Sequence, residues 1–208
     1  MLLKILICLI VGYGFGCFST SYVIGKLNHI DIRNYGSGNA GTTNALRTLG
    51  WKAGLLTFVG DALKAIIPIL LVRYIVNTED MLEQLLLLYT GLGVVLGHNF
   101  PVWLNFKGGK GIAATGGVMF AFDWRLGIVA FVIFLVVTAA TRYVSLGSLI
   151  ISIFFPVWML ILYPGNIHML IVSLVFTISA FYKHRSNIKR LLNGTENKIG
   201  QKVQIEKK

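Results

Sequence analysis

Most of the residues able to do chemistry in this sequence sit in four polar segments, and two of these combine glycines with cations. The first, residues 35–50, reads YGSGNAGTTNALRTLG. Its Gly36, Gly38 and Gly41 match G-x-G-x-x-G, but a dinucleotide fold needs a preceding strand and a parallel βαβ unit, and the neighbours here are long apolar runs. What survives is the physics beneath the pattern. Glycine lets backbone N–H groups approach an anion, while Ser37, Asn39, Thr42, Thr43 and Asn44 add neutral donors and Arg47 a permanent cation. The bland reading is a flexible loop leading into a helix N-cap. The second segment, residues 97–117, reads GHNFPVWLNFKGGKGIAATGG and repeats the recipe with Gly108, Gly109, Gly111, Lys107 and Lys110. It is not a Walker loop, because Ile112 stands where Ser or Thr should follow. Two glycine-plus-cation segments point to phosphate more strongly than either alone.

The other two segments are short. Residues 141–148, TRYVSLGS, supply Ser145, and residues 183–196, KHRSNIKRLLNGTE, supply His184 and Asn187, one helical turn apart. That pair also fits a polar helix end favoured by the dipole. His98, ahead of Asn99-Phe100-Pro101, falls where an apolar run ends and reads as structural; His29 and His168 read as loop or interface residues. Asp61 and Lys64 lie three apart inside an apolar run, on one helical face. Ionisable residues at such depth pair and face the interior, so an internal ion pair is the first reading and substrate contact the second. There is no H-x-x-x-H pair or cysteine cluster of metal-ligand spacing, and no G-x-S-x-G elbow.

The elements that must position these groups are apolar runs. Of the 208 residues, 55% are hydrophobic and 13% charged, with a mean hydropathy of +0.73. Soluble domains carry about 25% charged residues, and a chain this apolar is not disordered either, so the natural solvent is a lipid bilayer. Seven helices are expected, near residues 2–27, 51–75, 81–96, 112–122, 126–141, 144–163 and 167–182. A span needs roughly 20 apolar residues, which the first, second and sixth meet securely; the fourth is short and suits a half-helix or re-entrant piece. The first run is longer than a signal-peptide core and lacks a convincing cleavage site, so it is expected to be retained, with Gly12 and Gly16 allowing close packing. Cys8 and Cys17, nine helical residues or about 13 Å apart, are too distant for a disulfide.

The net charge of +11 is distributed as in a membrane protein and not as in a nucleic-acid binder. With the N-terminus outside, 15 of the 19 Lys and Arg lie on the cytoplasmic side: Lys26, Arg33, Arg47, Lys52, Lys107, Lys110, Arg142 and eight within residues 183–208. Lys4, Arg73 and Arg125 fall outside with Glu79, Asp80, Glu83 and Asp123, and Lys64 lies within a span. The positive-inside rule therefore gives an N-out, C-in topology. All four polar segments then share the cytoplasmic face. The expected fold is an all-α integral membrane protein of seven transmembrane helices, some short or broken, forming one domain over residues 1–208 with a basic tail from about 183.

With these motifs in order, the chain resembles the bacterial acyl-phosphate:glycerol-3-phosphate acyltransferases, membrane enzymes that make lysophosphatidic acid. The likeness covers nearly the whole chain. It rests on Gly36-Ser37-Gly38-Asn39, Gly41-Thr42-Thr43-Asn44 with Arg47, and Gly60-Asp61 with Lys64, then on Gly97-His98-Asn99-Phe100-Pro101, Phe106-Lys107-Gly108-Gly109-Lys110-Gly111, Ser145, and His184 with Asn187. Ala40 stands where many relatives carry Pro. The resemblance implies acyl transfer from acyl phosphate to the sn-1 hydroxyl of glycerol 3-phosphate at the cytoplasmic membrane of a bacterium, without a cofactor. It implies that Ser37, Arg47, Lys107, Ser145, His184 and Asn187 hold the glycerol phosphate and line the reaction centre. Phosphate contacts are expected from Gly38, Asn39, Gly41, Thr42, Thr43, Asn44, Gly108, Gly109 and Lys110, with Asp61, Lys64, His98 and Asn99 in support.

No histidine has Asp five residues on; those positions hold Asn34, Trp103, Ser173 and Lys189. The His-x4-Asp pair that orients a base in other acyltransferases is therefore missing, and an already activated donor makes positioning two anions most of the task. A donor phosphate oxygen is favoured as proton acceptor, with His184 orienting the acceptor; His184 as general base is the alternative. A transporter of anionic solutes and a membrane phosphatase are the competing classes. The first is disfavoured by the lack of an internal repeat and the one-sided motifs, the second by the scarcity of carboxylates in the cytoplasmic segments, where Asp31 and Glu196 are the candidates. The basic surface also suits docking of an enzyme that makes acyl phosphate.

Overall fold

A computed structural model describes residues 1–77 and 80–201. Glu79, one of the acids expected outside, and the last seven residues of the basic tail lie outside the described residues. The described chain is all-helical: α1 (Leu2–Cys17), α2 (Thr20–Leu27), α3 (Thr42–Leu49), α4 (Trp51–Val76), α5 (Met81–Asn99), α6 (Ile112–Phe122), α7 (Trp124–Thr141), α8 (Val144–Leu162), α9 (Ile167–Lys183) and α10 (Arg185–Leu192). All seven expected apolar runs are helical. The first is broken at Phe18-Ser19, where Phe18 turns extended and its carbonyl accepts a hydrogen bond from Lys64 Nζ at 2.6 Å. The spacing that read as a loop before residue 51 contains the separate helix α3.

Five segments are long and apolar enough to cross a membrane, and a sixth is added if α9 and α10, bent by 63°, count together. The fourth run, α6, has only 11 residues. Its first residue follows Lys110 and Gly111 at one end of the bundle, and its last carbonyl, at Phe122, accepts from Arg73 at the far end of α4, 2.8 Å away. A helix of about 16 Å thus joins ends that α4 separates by about 39 Å, so polar chain dips into the bundle around it.

Lipid tails are as apolar as leucine, so helices in this setting associate through close packing and not by escaping water. The α1–α5 contact shows how. Gly12 and Gly16 of α1 face Gly93 and Gly97 of α5, and an added Cβ at Gly12 or Gly16 would lie 2.1 Å from the carbonyl oxygen of Thr90 or Val94. These small residues let two backbones touch, and the close packing anticipated for Gly12 and Gly16 is found. Around α5 the core joins α6, α8 and α9 through Leu88, Val118, Phe155 and Phe176, the last two in an edge-on pair 5.2 Å apart. The apolar window of the span containing α5 is 78% buried against 28% for the α1–α2 span and 22% for α7, so α5 is central and the others turn apolar faces outward. Cys8 and Cys17 are buried free thiols.

Candidate functional site

One cavity of about 510 Å³ has a polar end and an apolar end. Ser37, Arg47, Lys110, Ser145, His184 and Asn187 line the first; Phe58, Ile66, Phe120, Phe131 and Ile151 line the second. Three helices start at the polar end. α3 follows Gly41, α6 follows Gly111 and α10 follows His184, and none of these residues makes a side-chain capping hydrogen bond. At the opposite end of the bundle, by contrast, Asp80, Asp123 and Asn166 accept from backbone N–H groups that open α5, α7 and α9. No side chain competes for the N–H groups that open these helices at the cavity, and for α3 and α6 the positive end of the dipole also favours an anion there.

The first glycine segment reaches the cavity because Asn44 folds it back. The Asn44 amide donates to the carbonyls of Ile32 and Tyr35, each at 3.0 Å, and accepts from the Ser37 N–H at 2.9 Å. Gly36 has φ +60°, and a Cβ there would lie 2.3 Å from Asn44 Oδ1, so the turn requires glycine. Asn44 is occupied in holding the loop, and Gly38, at φ +69°, serves the turn. Ser37, Asn39, Gly41, Thr42, Thr43, Asn44 and Arg47 line the cavity, Asn44 with its side-chain amide already bonded to the loop.

The second segment is brought in differently from expectation. The Gly109 N–H donates to the His98 carbonyl at 3.0 Å, and added Cβ atoms at Gly108 and Gly109 would lie 2.1 Å from His98 O and 2.0 Å from His98 Nε2. These glycines let the loop lie flat on His98, so the Gly109 donor is already used. The loop then sends Lys110 inward, where its ammonium donates to Asn187 Oδ1. Lys107 is exposed and does not line the cavity. Both lysines flank the same glycine pair, and spacing alone did not separate them.

Asp61 and Lys64 form the buried pair anticipated from their spacing, Nζ to Oδ1 at 2.9 Å. The Lys64 ammonium also donates to His98 Nδ1 at 2.8 Å, and Thr20 Oγ1 donates to Asp61 at 3.3 Å. This network ties α4, α5 and the α1–α2 break together beneath the Gly108–Gly109 loop. Asn99 donates to Ser179 Oγ at 3.0 Å and its carbonyl accepts from Lys183 at 2.9 Å, fixing α5 to α9.

The last helix presents His184, Asn187 and Arg190 on one face, and the chain then turns at Gly194 to insert Glu196 beside them. Glu196 Oε1 accepts from Ser145 Oγ at 2.9 Å and Asn187 Nδ2 at 2.6 Å, while Oε2 accepts from Arg190 at 2.8 Å. Arg47 donates to the neighbouring carbonyl of Asn197 at 3.3 Å. Glu196 and Arg190 belong to the site and sequence reasoning did not place them there. The available signal was one acid standing alone among the basic residues of 183–201. Burial raises the Glu196 carboxyl, but the hydrogen bonds from Asn187, Ser145 and Arg190 outweigh it and hold it below its ordinary value.

Burial also lowers Lys110 to about 8; Glu196 opposes the shift, whereas Arg190, Arg47 and Lys183 reinforce it. His184, in the break beyond the end of α9, is lowered to about 4, by burial first and by the Lys110 charge second. Its Nδ1 lies 2.8 Å from the Ala180 carbonyl, which can only accept. The proton of the neutral ring therefore sits on Nδ1 and Nε2 is left as an acceptor. Among the described residues, no three His, Cys, Asp or Glu side chains come together as a metal site.

A bundle of long apolar helices whose cavity joins a cationic end to an apolar groove is of the class of membrane proteins suited to an anionic lipid. The chain belongs to the glycerol-3-phosphate acyltransferase family, whose model matches residues 6–194. It is 45% identical over 199 residues to a glycerol-3-phosphate acyltransferase of Thermoanaerobacter pseudethanolicus, covering 95% of this chain and 96% of that protein. Its likeness to the Clostridioides difficile enzyme of the same name is 45% over 201 residues, with 95% and 96% covered. The crystal structure of PlsY, an integral membrane glycerol 3-phosphate acyltransferase in its glycerol 3-phosphate form, superposes with a TM-score of 0.85 at 38% identity, over 94% of this chain and 96% of that one. The lysophosphatidic acid form of PlsY gives 0.82 at 37%, over 95% and 96%. This chain is thus a multi-pass, PlsY-type membrane acyltransferase of phospholipid biosynthesis.

Proposed function

We propose that the chain transfers a fatty acyl group from acyl phosphate to the sn-1 hydroxyl of glycerol 3-phosphate, yielding lysophosphatidic acid and inorganic phosphate. The observation that carries this reading is a single cavity in which Arg47, Lys110, Arg190 and three uncapped helix starts meet an apolar groove. Both substrates are phosphate anions and one drags a hydrocarbon chain, so a productive site must cancel repulsion at one end and accept lipid at the other.

In this reading the α3 start, with Gly41, Thr42 and Thr43, cradles the donor phosphate, and Ser37 faces the acceptor. Arg47 and Lys110 sit between the two phosphates, and Ser145, Asn187 and His184 hold the acceptor. Neutral His184 uses Nε2 to accept a hydrogen bond from a glycerol hydroxyl. Burial and the Lys110 charge keep the ring neutral in the empty site, and no carboxylate orients it as a base, so the reading takes a donor phosphate oxygen as the proton acceptor. The acceptor oxygen then forms its bond to the acyl carbon as the acyl carbon–phosphate oxygen bond breaks. The proton leaves with the phosphate. Glu196 holds Ser145, Asn187 and Arg190 in register without touching the reacting atoms.

The same reading carries the seven crossings, with α6 as the short one, in a single membrane-embedded domain. That α1 runs parallel to α5 and ends near the site supports an N-terminus on the side away from it, and the positive-inside asymmetry supports a site in the cytoplasm of a bacterial cell. Exposed Arg185 and Lys189, beside the cavity mouth, suit docking of the enzyme that supplies acyl phosphate. The test is donor competition. Purified protein in lipid should acylate glycerol 3-phosphate from acyl phosphate, and acyl-coenzyme A of the same chain should neither replace nor inhibit it. Turnover with the thioester alone would overturn the donor assignment.

A further inference from the structure

The apolar groove has an end, and that end is thin. Ile66 of α4 and Phe120 of α6 line the main cavity and also line a second cavity of about 420 Å³ on their other side. The far cavity is bordered by Arg73, Asp123 and Arg125, at the opposite end of the bundle from the polar site. We infer that Phe120, backed by Ile66, is the wall that sets the longest acyl chain this enzyme accepts, an inference that rests on the acyl-transfer reading above.

Three features of the structure support a fixed wall. First, Phe120 cannot retreat at its backbone: Gly127 of α7 packs so closely that a Cβ there would lie 2.5 Å from the Phe120 Cα. Second, α6 is pinned on its other flank, where a Cβ on Gly117 would lie 2.5 Å from the Ala62 carbonyl oxygen of α4. Third, the volume beyond the wall, though lined mostly by apolar side chains, is bordered by the charged Arg73, Asp123 and Arg125. A chain pushing past Phe120 must displace an aromatic ring and place its terminal methyl beside the paired Arg125 and Asp123, whose closest atoms are 3.0 Å apart. Eight residues of α6 separate Ile112 at the polar end from Phe120, which sets a groove depth of about 12 Å along this helix.

The groove can also be shortened. Gly116 lines it one turn before Phe120, and a Cβ added there meets nothing within 4 Å. A larger side chain at 116 therefore enters the groove itself and not a packed neighbour. Phe120→Ala should lengthen the accepted chain and Gly116→Leu should shorten it. One methylene that no longer fits costs roughly ten-fold in kcat/KM, so each variant should move the long-to-short ratio by about that factor, in opposite directions.

The experiment measures kcat/KM for a graded series of acyl phosphates, with glycerol 3-phosphate in excess, for the wild type and both variants. The long-to-short ratio is internal to each preparation, so partial loss of folded protein does not change it. If one variant does not fold, the other decides alone. Opposite shifts support the wall; an unchanged ratio, or a shift toward short chains in Phe120→Ala, overturns it. A wild type inert toward every acyl phosphate would overturn the donor assignment instead. The same ratios, taken with acyl thioesters, would then decide the wall, since it concerns only the chain.

Discussion

Lys110 and Lys107 flank one glycine pair, yet only Lys110 lines the cavity, and this difference supports a sharp prediction. Replacing Lys110 by Met keeps its length and removes its charge. On the proposed reading the lost interaction is a charge-assisted hydrogen bond to phosphate, about 1.5–3 kcal/mol, or roughly ten- to a hundred-fold in kcat/KM for glycerol 3-phosphate. Lys107→Ala removes an exposed side chain and should stay within about two-fold of wild type, the range for surface changes of about 0.5 kcal/mol. The pH dependence gives a second readout. Burial lowers Lys110 to about 8, so in the free enzyme it is charged below that value and loses its charge as pH rises through it. kcat/KM for the acceptor should therefore fall above about pH 8 in the wild type, and Lys110→Arg should abolish that fall while keeping the cation. The assay is steady-state formation of lysophosphatidic acid across pH with purified protein in lipid. Unaltered kcat/KM in folded Lys110→Met, or an equal loss in Lys107→Ala, would refute the assignment of phosphate contact to Lys110.

Three further predictions test other parts of the account. His184→Gln should weaken acceptor binding yet keep the wild-type pH profile, because a ring titrating near 4 contributes no limb around neutrality; loss of an acidic limb with binding intact would make His184 the base. Asp61→Ala strands the Lys64 ammonium in the buried network and should cost about 3–5 kcal/mol of stability, seen as a large drop in thermal midpoint in detergent; an unchanged midpoint would deny the network its structural role. Cysteines placed at the exposed positions Gly165 and Lys107 should react from outside and from the cytoplasm respectively in intact cells, Cys8 and Cys17 being buried; the reverse pattern would invert the topology.

Much of this was legible in the sequence because membrane spans are written in composition. The seven runs follow from apolar length, the Asp61–Lys64 pair from helical spacing, and the close packing at Gly12 and Gly16 from residue size. The motif-bearing residues Ser37, Arg47, Ser145, His184 and Asn187 do meet in one cavity, although they come from three separated segments. What could not be read is which way a loop faces. Lys107 and Lys110 differ only in how the Gly108–Gly109 pair lies on His98, a tertiary contact with no local signature. Asn44 looked like a phosphate donor because its type and position fit, but its amide is needed to close the loop that carries Ser37. Glu196 was obscured by distance along the chain. Its partner Ser145 lies 51 residues away, and a lone acid in a basic tail carries little information until the tail is folded back.

The most direct test of the central claim is to follow lysophosphatidic acid and inorganic phosphate together, using purified protein in lipid with acyl phosphate and glycerol 3-phosphate. If the cavity joins the two anions for direct acyl transfer, both products should appear in equal amounts and both should depend on the acceptor. Phosphate released at the same rate without glycerol 3-phosphate, or no lysophosphatidic acid from active preparations, would contradict it.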